Sequence, residues 1–239
     1  MIATAYRREQ VHRFERLLHD PAYFAQELAK CSDRRPEALW QRFFQQNPWI
    51  FGYGLDVRLL TAWDEERLEQ TVVGHSVAGP GKRVDALLTT AEVVSSLVFV
   101  EIKTPSTPLL SKVGKPYRPG CWAPSAELAG GVAQLQGTIE RTCRDVGAWL
   151  SFQAEDGSEV PNQGAYLVRP RSFLVIGRMD ELKGSGGGVN LDKFTSFELY
   201  RRNLIEPDVV TFDALFQRAR HRPPLRLGRH PKNGHVGTR

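Results

Sequence analysis

Ser96-Leu97-Val98-Phe99-Val100-Glu101-Ile102-Lys103 is the stretch from which the rest of the chain can be read. Leu97, Val98, Phe99 and Val100 are apolar without alternation. A strand apolar on both faces is a central strand covered on both sides. The run then ends on two charged residues, Glu101 and Lys103. They are two positions apart, so on a strand they share a face. Charge at the end of a dry strand is costly unless it is paired or bound to a metal.

Residues 83–88 (Arg83-Val84-Asp85-Ala86-Leu87-Leu88) read as a second short strand. A hairpin whose loop is centred near Val93 makes facing positions sum to about 186, which sets Asp85 opposite Glu101 and Arg83 opposite Lys103. Directly opposed side chains have Cβ atoms about 5 Å apart, and a slip of one residue would separate the carboxylates. Two close carboxylates repel, raising one pKa. A divalent cation removes that conflict. Magnesium takes oxygen ligands, often one or two carboxylates, and retains several waters. It can lower the pKa of a bound water and stabilise charge on a phosphoryl group. The neighbouring lysine can position or deprotonate the attacking water, or stabilise the transition state. Glu101-Ile102-Lys103 taken alone could equally be an ion pair on an edge strand without a role.

Working outward, residues 6–30 read as helix, with Val11, Phe14, Leu17 and Leu18 at helical spacing and a break at Pro21. A second helix is expected to be capped by Ser32 or Asp33, to carry Pro36 in its first turn, and to end at Asn47-Pro48. Residues 55–60 and 69–78 look like short strands or loop pieces. Residues 127–150 form a helix in which Leu128, Val132, Leu135 and Ile139 recur on one face. A third apolar strand is expected at 173–177, a helix at 196–204, a strand at 208–211 and a final helix at 213–220. This order is that of an α/β domain with a mixed sheet. Gly184-Ser185-Gly186-Gly187-Gly188 lacks the Gly-Lys-Ser/Thr ending of a phosphate loop and reads as a flexible loop.

Between the strand and the long helix lies a Pro- and Gly-rich loop, residues 104–126. It carries Lys112, Lys115 and Arg118 with Tyr117 and Trp122 interleaved. Such a mixture can hold a phosphate backbone and stack on an unpaired base. It follows Lys103 directly, so it must lie beside that residue.

The chain has 239 residues, enough to bury a core without staples, and 41% of them are apolar. No apolar run approaches the roughly 20 residues needed to cross a membrane. The first residues lack the apolar core of a signal peptide. Cys31, Cys121 and Cys143 are odd in number and far apart, which argues against a disulfide framework or a zinc site. A cytoplasmic protein without membrane contact is therefore expected. The net charge is +5, yet seven basic residues and no acid fall between 217 and the end, leaving the remainder at about −2. The basic character is a property of the tail, which could follow phosphates or simply be solvated.

Arg83-Val84-Asp85 followed by Glu101-Ile102-Lys103-Thr104-Pro105 resembles the signature of the PD-(D/E)xK nuclease superfamily, with Val84 at the place where a proline commonly precedes the aspartate. More narrowly, residues 36–220 resemble the catalytic domain of the Shedu antiphage defence proteins. The resemblance is carried by Gln41-Arg42-Phe43-Phe44-Gln45-Gln46-Asn47-Pro48-Trp49-Ile50-Phe51-Gly52 and Glu127-Leu128-Ala129-Gly130-Gly131-Val132-Ala133-Gln134-Leu135. It continues in Phe173-Leu174-Val175-Ile176-Gly177-Arg178, Ser196-Phe197-Glu198-Leu199-Tyr200-Arg201-Arg202 and Val209-Val210-Thr211-Phe212-Asp213-Ala214-Leu215. It implies an α/β, restriction-endonuclease-like mixed β-sheet flanked by helices. Residues 1–35 form an extra N-terminal helical segment, 36–220 the nuclease domain and 221–239 a basic, disordered tail. It further implies metal-dependent hydrolysis of DNA in bacterial defence against phage, and assembly as a homo-oligomer, a dimer or tetramer. Asp85 and Glu101 would hold Mg2+, with Mn2+ as a substitute, and Lys103 and Gln134 would complete the catalytic group. Glu37, in the first turn of the second helix, would be an additional metal-site residue.

Two other functions compete. One is a nucleic-acid-binding or sensing module on an inactive nuclease fold, since a fold does not prove chemistry. The other is a glycosidase using Asp85 and Glu101 as acid and base. Retention of Asp85, Glu101, Lys103 and Gln134 together argues against the first. The adjacent lysine, and the want of an aromatic sugar platform near the pair, argue against the second.

Overall fold

The computed structural model describes residues 2–51, 57–59, 86–90, 95–111, 116–153 and 159–221. The tail expected at 221–239 and the segment expected at 69–78 lie outside these, apart from His221. Helix α1 spans Ile2–His19, α2 Pro21–Ala29 and α3 Pro36–Gln46. The expected break at Pro21 is sharp. Asp20 caps α2 by accepting a hydrogen bond from the Tyr23 N–H at 3.0 Å, and Pro21 opens the helix where its missing N–H costs nothing. The expected cap of α3 is corrected. Arg35 occupies the cap position without a side-chain cap bond, because the Asp33 carboxylate is engaged by the Arg35 guanidinium at 3.0 and 3.1 Å.

Strands β1 (Val57–Leu59), β2 (Ala86–Thr90) and β3 (Ser96–Ile102) form an antiparallel set. The long helix α4 covers Ala126–Val146 and ends at Gly147, whose φ of +81° and N–H to the Cys143 carbonyl terminate it. The expected helix to 150 is therefore too long, since Trp149 already begins β4 (Trp149–Gln153). Strand β5 runs Glu159–Val175, far longer than the apolar stretch at 173–177. Its first part pairs with β4 antiparallel and its last part with β3 parallel. The β3 register shifts where Arg169 adopts a φ of +50°. Helix α5 (Leu191–Arg202) starts five residues earlier than expected, because Asn190 caps it through the Lys193 N–H. Strand β6 (Asp208–Val210) pairs parallel to β5, and α6 covers Phe212–His221.

The result is a mixed six-stranded sheet among the described residues, in order β1-β2-β3-β5-β4 with β6 beside the end of β5. Helices cover both faces, the restriction-endonuclease-like arrangement expected. Strand alternation divides β3 between the two sides. Val98, Val100 and Ile102 join Phe173, Val175 and Val210 under α1, α3 and α6. Leu97 and Phe99 join Leu174, Ile176 and Val209 under α4 and α5. Both faces of β3 are thus dry, as its unalternating sequence requires.

The first layer is unusually aromatic. Phe14 of α1 lies 5.6, 5.2, 5.5 and 5.5 Å from the rings of Trp40, Phe43, Phe44 and Phe216. Phe14, Trp40, Phe43 and Phe44 have 1% exposure or less. Rings at such separations gain about 0.5–1.5 kcal/mol per pair beyond burial. Replacing Phe14 by Ala is expected to cost about 3–5 kcal/mol. Urea denaturation followed by circular dichroism measures this, and a loss below about 1 kcal/mol would mean that α1 is not part of the core.

Candidate active site

Glu101 and Lys103 follow Leu97 and Phe99 on the α4 face of the sheet. The β3 ladder continues one residue past the strand, where the Lys103 N–H donates to the Val175 carbonyl at 2.9 Å. The backbone at the site is therefore fixed by the central parallel pair. Lys103 Nζ donates to Glu101 Oε1 at 2.8 Å. The Glu101 carboxyl is buried, 4% exposed, while the Lys103 side chain retains 22% exposure. The pair therefore opens toward solvent through its lysine.

Gln134 approaches from α4. Its side-chain amide donates to the Glu101 carboxyl, and its carbonyl accepts from the Thr138 hydroxyl at 2.9 Å. One turn earlier stands Gly131. A Cβ there would lie 3.2 Å from both Leu174 methyl groups and 3.7 Å from Lys103 Cε. The missing side chain lets the helix lie close against the sheet and gives the lysine stem its channel. Gly131, Gln134 and Thr138 share the inward face, whereas Glu127 is exposed in the first turn. Gln136 points elsewhere and donates to the Glu206 carbonyl at 2.6 Å.

Burial pushes the Glu101 carboxyl above its ordinary value; Lys103, by hydrogen bond and charge, and then Gln134 oppose the shift. A buried carboxylate with an incomplete countercharge is a suitable cation ligand. Among the described residues no three His, Cys, Asp or Glu side chains converge as a metal cage. Magnesium needs only one or two carboxylates, so Glu101 fits as one of them.

The other expected site residues separate into groups. Asp85 lies outside the described residues, as do Lys112 and Lys115. The described register around Asp85 is the expected one: Ala86↔Val100, Leu87↔Phe99, Leu88↔Val98 and Thr89↔Leu97 each sum to 186. Glu37 is half-buried in the first turn of α3, and α3 packs on the opposite face of the sheet from Glu101. Arg118 is exposed, its guanidinium 5.6 Å from the centroid of the exposed Tyr117 ring.

The stretch after Lys103 is tied down. The Thr104 N–H donates to Thr107 Oγ1 at 3.1 Å, and the Thr104 carbonyl accepts from Gly177 N–H at 3.0 Å. Gly177 has a φ of +61°, and a Cβ there would meet the Thr107 carbonyl oxygen and Leu109 at 2.7 Å. Glu181 accepts from the Leu109 and Leu110 N–H groups at 2.7 and 2.9 Å. Ser125 Oγ donates to the Pro108 carbonyl at 2.6 Å and caps α4 through the Leu128 N–H at 2.9 Å. The Ser125, Gly177 and Glu181 contributions are invisible in sequence, because each joins segments far apart along the chain.

Removing the Glu101 charge should separate function from stability. A raised carboxyl pKa means that the folded state binds the proton more tightly than the unfolded chain. The native protein therefore loses stability as pH rises through that pKa. Glu101→Gln should melt higher than the native protein at neutral pH, by about 2–4 °C for each kcal/mol recovered. The difference should shrink as pH falls into the ordinary carboxylate range. Calorimetric melting across pH reads this, and a lower melting point at neutral pH would show that the Lys103 contact outweighs burial.

A family model described as the C-terminal part of the Shedu protein SduA matches residues 34–216. The Shedu protein SduA of Bacillus cereus (strain B4264) is 27% identical over 187 residues, covering 77% of this chain and 44% of that protein. The chain thus spans less than half the length of that relative. The matched residues include β3, α4, β5 and the first half of α6, elements that build the Glu101–Lys103–Gln134 group and part of its aromatic support. By this match over most of its length, the chain belongs to the Shedu SduA family, corresponding to its C-terminal region.

Proposed function

We propose that the chain is a magnesium-dependent deoxyribonuclease that hydrolyses phosphodiester bonds in bacterial defence against phage. The observation that carries this reading is the buried Glu101 carboxyl at the end of the central strand, held by Lys103 at 2.8 Å and by the Gln134 amide. Glu101 would hold the cation, together with Asp85, which immediately precedes β2 in the chain. The register expected from the sequence would set Asp85 opposite Glu101. The bound cation would lower the pKa of a water and offset charge on the phosphoryl group.

The residues of this chain have separable tasks. Lys103, the solvent-facing member of the pair, orients the attacking water or stabilises the charge that develops on the phosphoryl oxygens. Gln134 fixes the orientation of the Glu101 carboxyl. The ladder bond from Lys103 N–H to Val175 keeps both side chains from shifting along the strand. DNA is the proposed partner, with Lys112, Lys115 and Arg118 as phosphate-backbone contacts. A dimer or tetramer is the proposed assembly, and no helix among the described residues is long and apolar enough to cross a membrane.

Supercoiled and linear DNA, incubated with and without magnesium, provide the test. The native protein should cut only with the cation. Lys103→Ala should lower the rate by about two orders of magnitude or more while retaining the fold. Cutting that needs no divalent cation, or that survives the substitution, would overturn the reading. Binding without cutting under every metal and DNA form would assign the chain to nucleic-acid sensing instead.

A further inference from the structure

A cavity of about 670 Å³ lies beside the segment that follows Lys103. Its walls include Pro105, Pro108 and Trp122, and its polar lining includes Ser106, Arg178 and Lys193. Pro105 is two residues beyond Lys103, so their Cα atoms are within about 7 Å. Leu109, Leu110, Leu182 and Trp122 pack in the layer beneath α4 and α5. The cavity therefore opens on the same side of the sheet as Glu101.

The acidic side chains of the lining are already engaged. Asp180 is occupied by Lys183 Nζ at 2.6 Å and by Arg178 Nη2 at 3.0 Å. Glu181 spends both carboxylate oxygens on the backbone N–H groups of Leu109 and Leu110. Lys193 Nζ instead lies 5.1 Å from the Trp122 ring centroid and donates to the Glu181 carbonyl at 3.3 Å. Arg178 is committed as well, its Nη1 donating to the Leu18 carbonyl at 3.2 Å and its Nη2 pairing with Asp180. The Lys193 ammonium, which pairs with no carboxylate among the described residues, thus stands among flat, apolar walls.

We propose that this cavity is a binding site for one nucleotide unit, its phosphate met by Lys193 and its base by the proline and tryptophan walls. The volume suits such a ligand, since small-molecule sites span about 300–1,000 Å³ and are mainly apolar with a few placed polar groups. The choice of a nucleotide over another ring-bearing anion rests on the nuclease reading of the adjoining site. The nucleotide can be free or can be an unpaired unit of a DNA strand; both present the same chemistry to the cavity.

Calorimetric titration with dAMP, deoxyadenosine and inorganic phosphate tests this without reference to cleavage. The native protein should bind dAMP at least about tenfold more tightly than either fragment, as expected when both halves of a ligand are recognised. Lys193→Gln should weaken dAMP about tenfold. Ser111→Phe, which narrows the cavity without altering its charge, should abolish binding. Melting curves establish that both variants remain folded. Lys103→Ala should bind dAMP normally, so a failed nuclease reading and a failed nucleotide site give different results. Competition of dAMP by a short oligothymidylate supports the site and assigns it to a strand; dAMP binding without competition supports it and assigns it to a free nucleotide. Equal affinity for dAMP and its fragments, or unchanged dAMP binding in both cavity variants, would overturn the proposal.

Discussion

The placement of an ionisable carboxyl at the end of a strand whose two faces are both dry governs much of this structure. Glu101 cannot be solvated by water as an exposed glutamate would be, so its environment has to supply what water does not. Lys103 supplies charge from the same face of the strand, and Gln134 supplies a hydrogen bond from the covering helix. Each demand fixes a further element. The lysine stem needs room, which Gly131 provides. The amide needs a helix held at a set height over the sheet, which the Ser125 cap and its bond to the Pro108 carbonyl provide.

The opposite face of the sheet answers a different requirement. Val98, Val100 and Ile102 have no chemistry to perform and are sealed by rings from α1, α3 and α6. Close packing of this kind resists small displacements, because interiors are as dense as organic crystals. The Glu101–Lys103–Gln134 group is thus carried by a strand braced from behind, and Arg178 ties the exit of β5 to the end of α1 by donating to the Leu18 carbonyl at 3.2 Å.

The sequence made the centre of the sheet legible and obscured its margins. The apolar run before Glu101 identified a doubly covered strand, and the hairpin centre near Val93 gave the register found in all four described β2–β3 pairs. Gln134 was indicated by the family resemblance and not by any local pattern. Strand β4 was missed because the preceding helix was expected to run on to 150, and the first half of β5 because its pattern is interrupted by Pro161 and Gly164, residues that ordinarily end strands. Here β5 continues through a register shift, so the pairing of neighbours overrides local preference. The cavity lining was illegible for another reason. Arg178, Glu181 and Lys193 meet the segment after Lys103 across more than 70 residues of chain, and no local spacing records such a meeting.

The contact between Phe14 and Phe216 has a kinetic meaning. It closes a loop of roughly 200 residues, and ordering so long a segment before the contact is rewarded slows folding. During synthesis, Phe14, Trp40, Phe43 and Phe44 emerge well before the helix that completes their layer. Until α6 leaves the ribosome, this greasy surface is open to chaperones and to other nascent chains. An interrupted translation product lacking α6 would expose the same rings permanently, making α6 a checkpoint between a folded chain and an aggregating one.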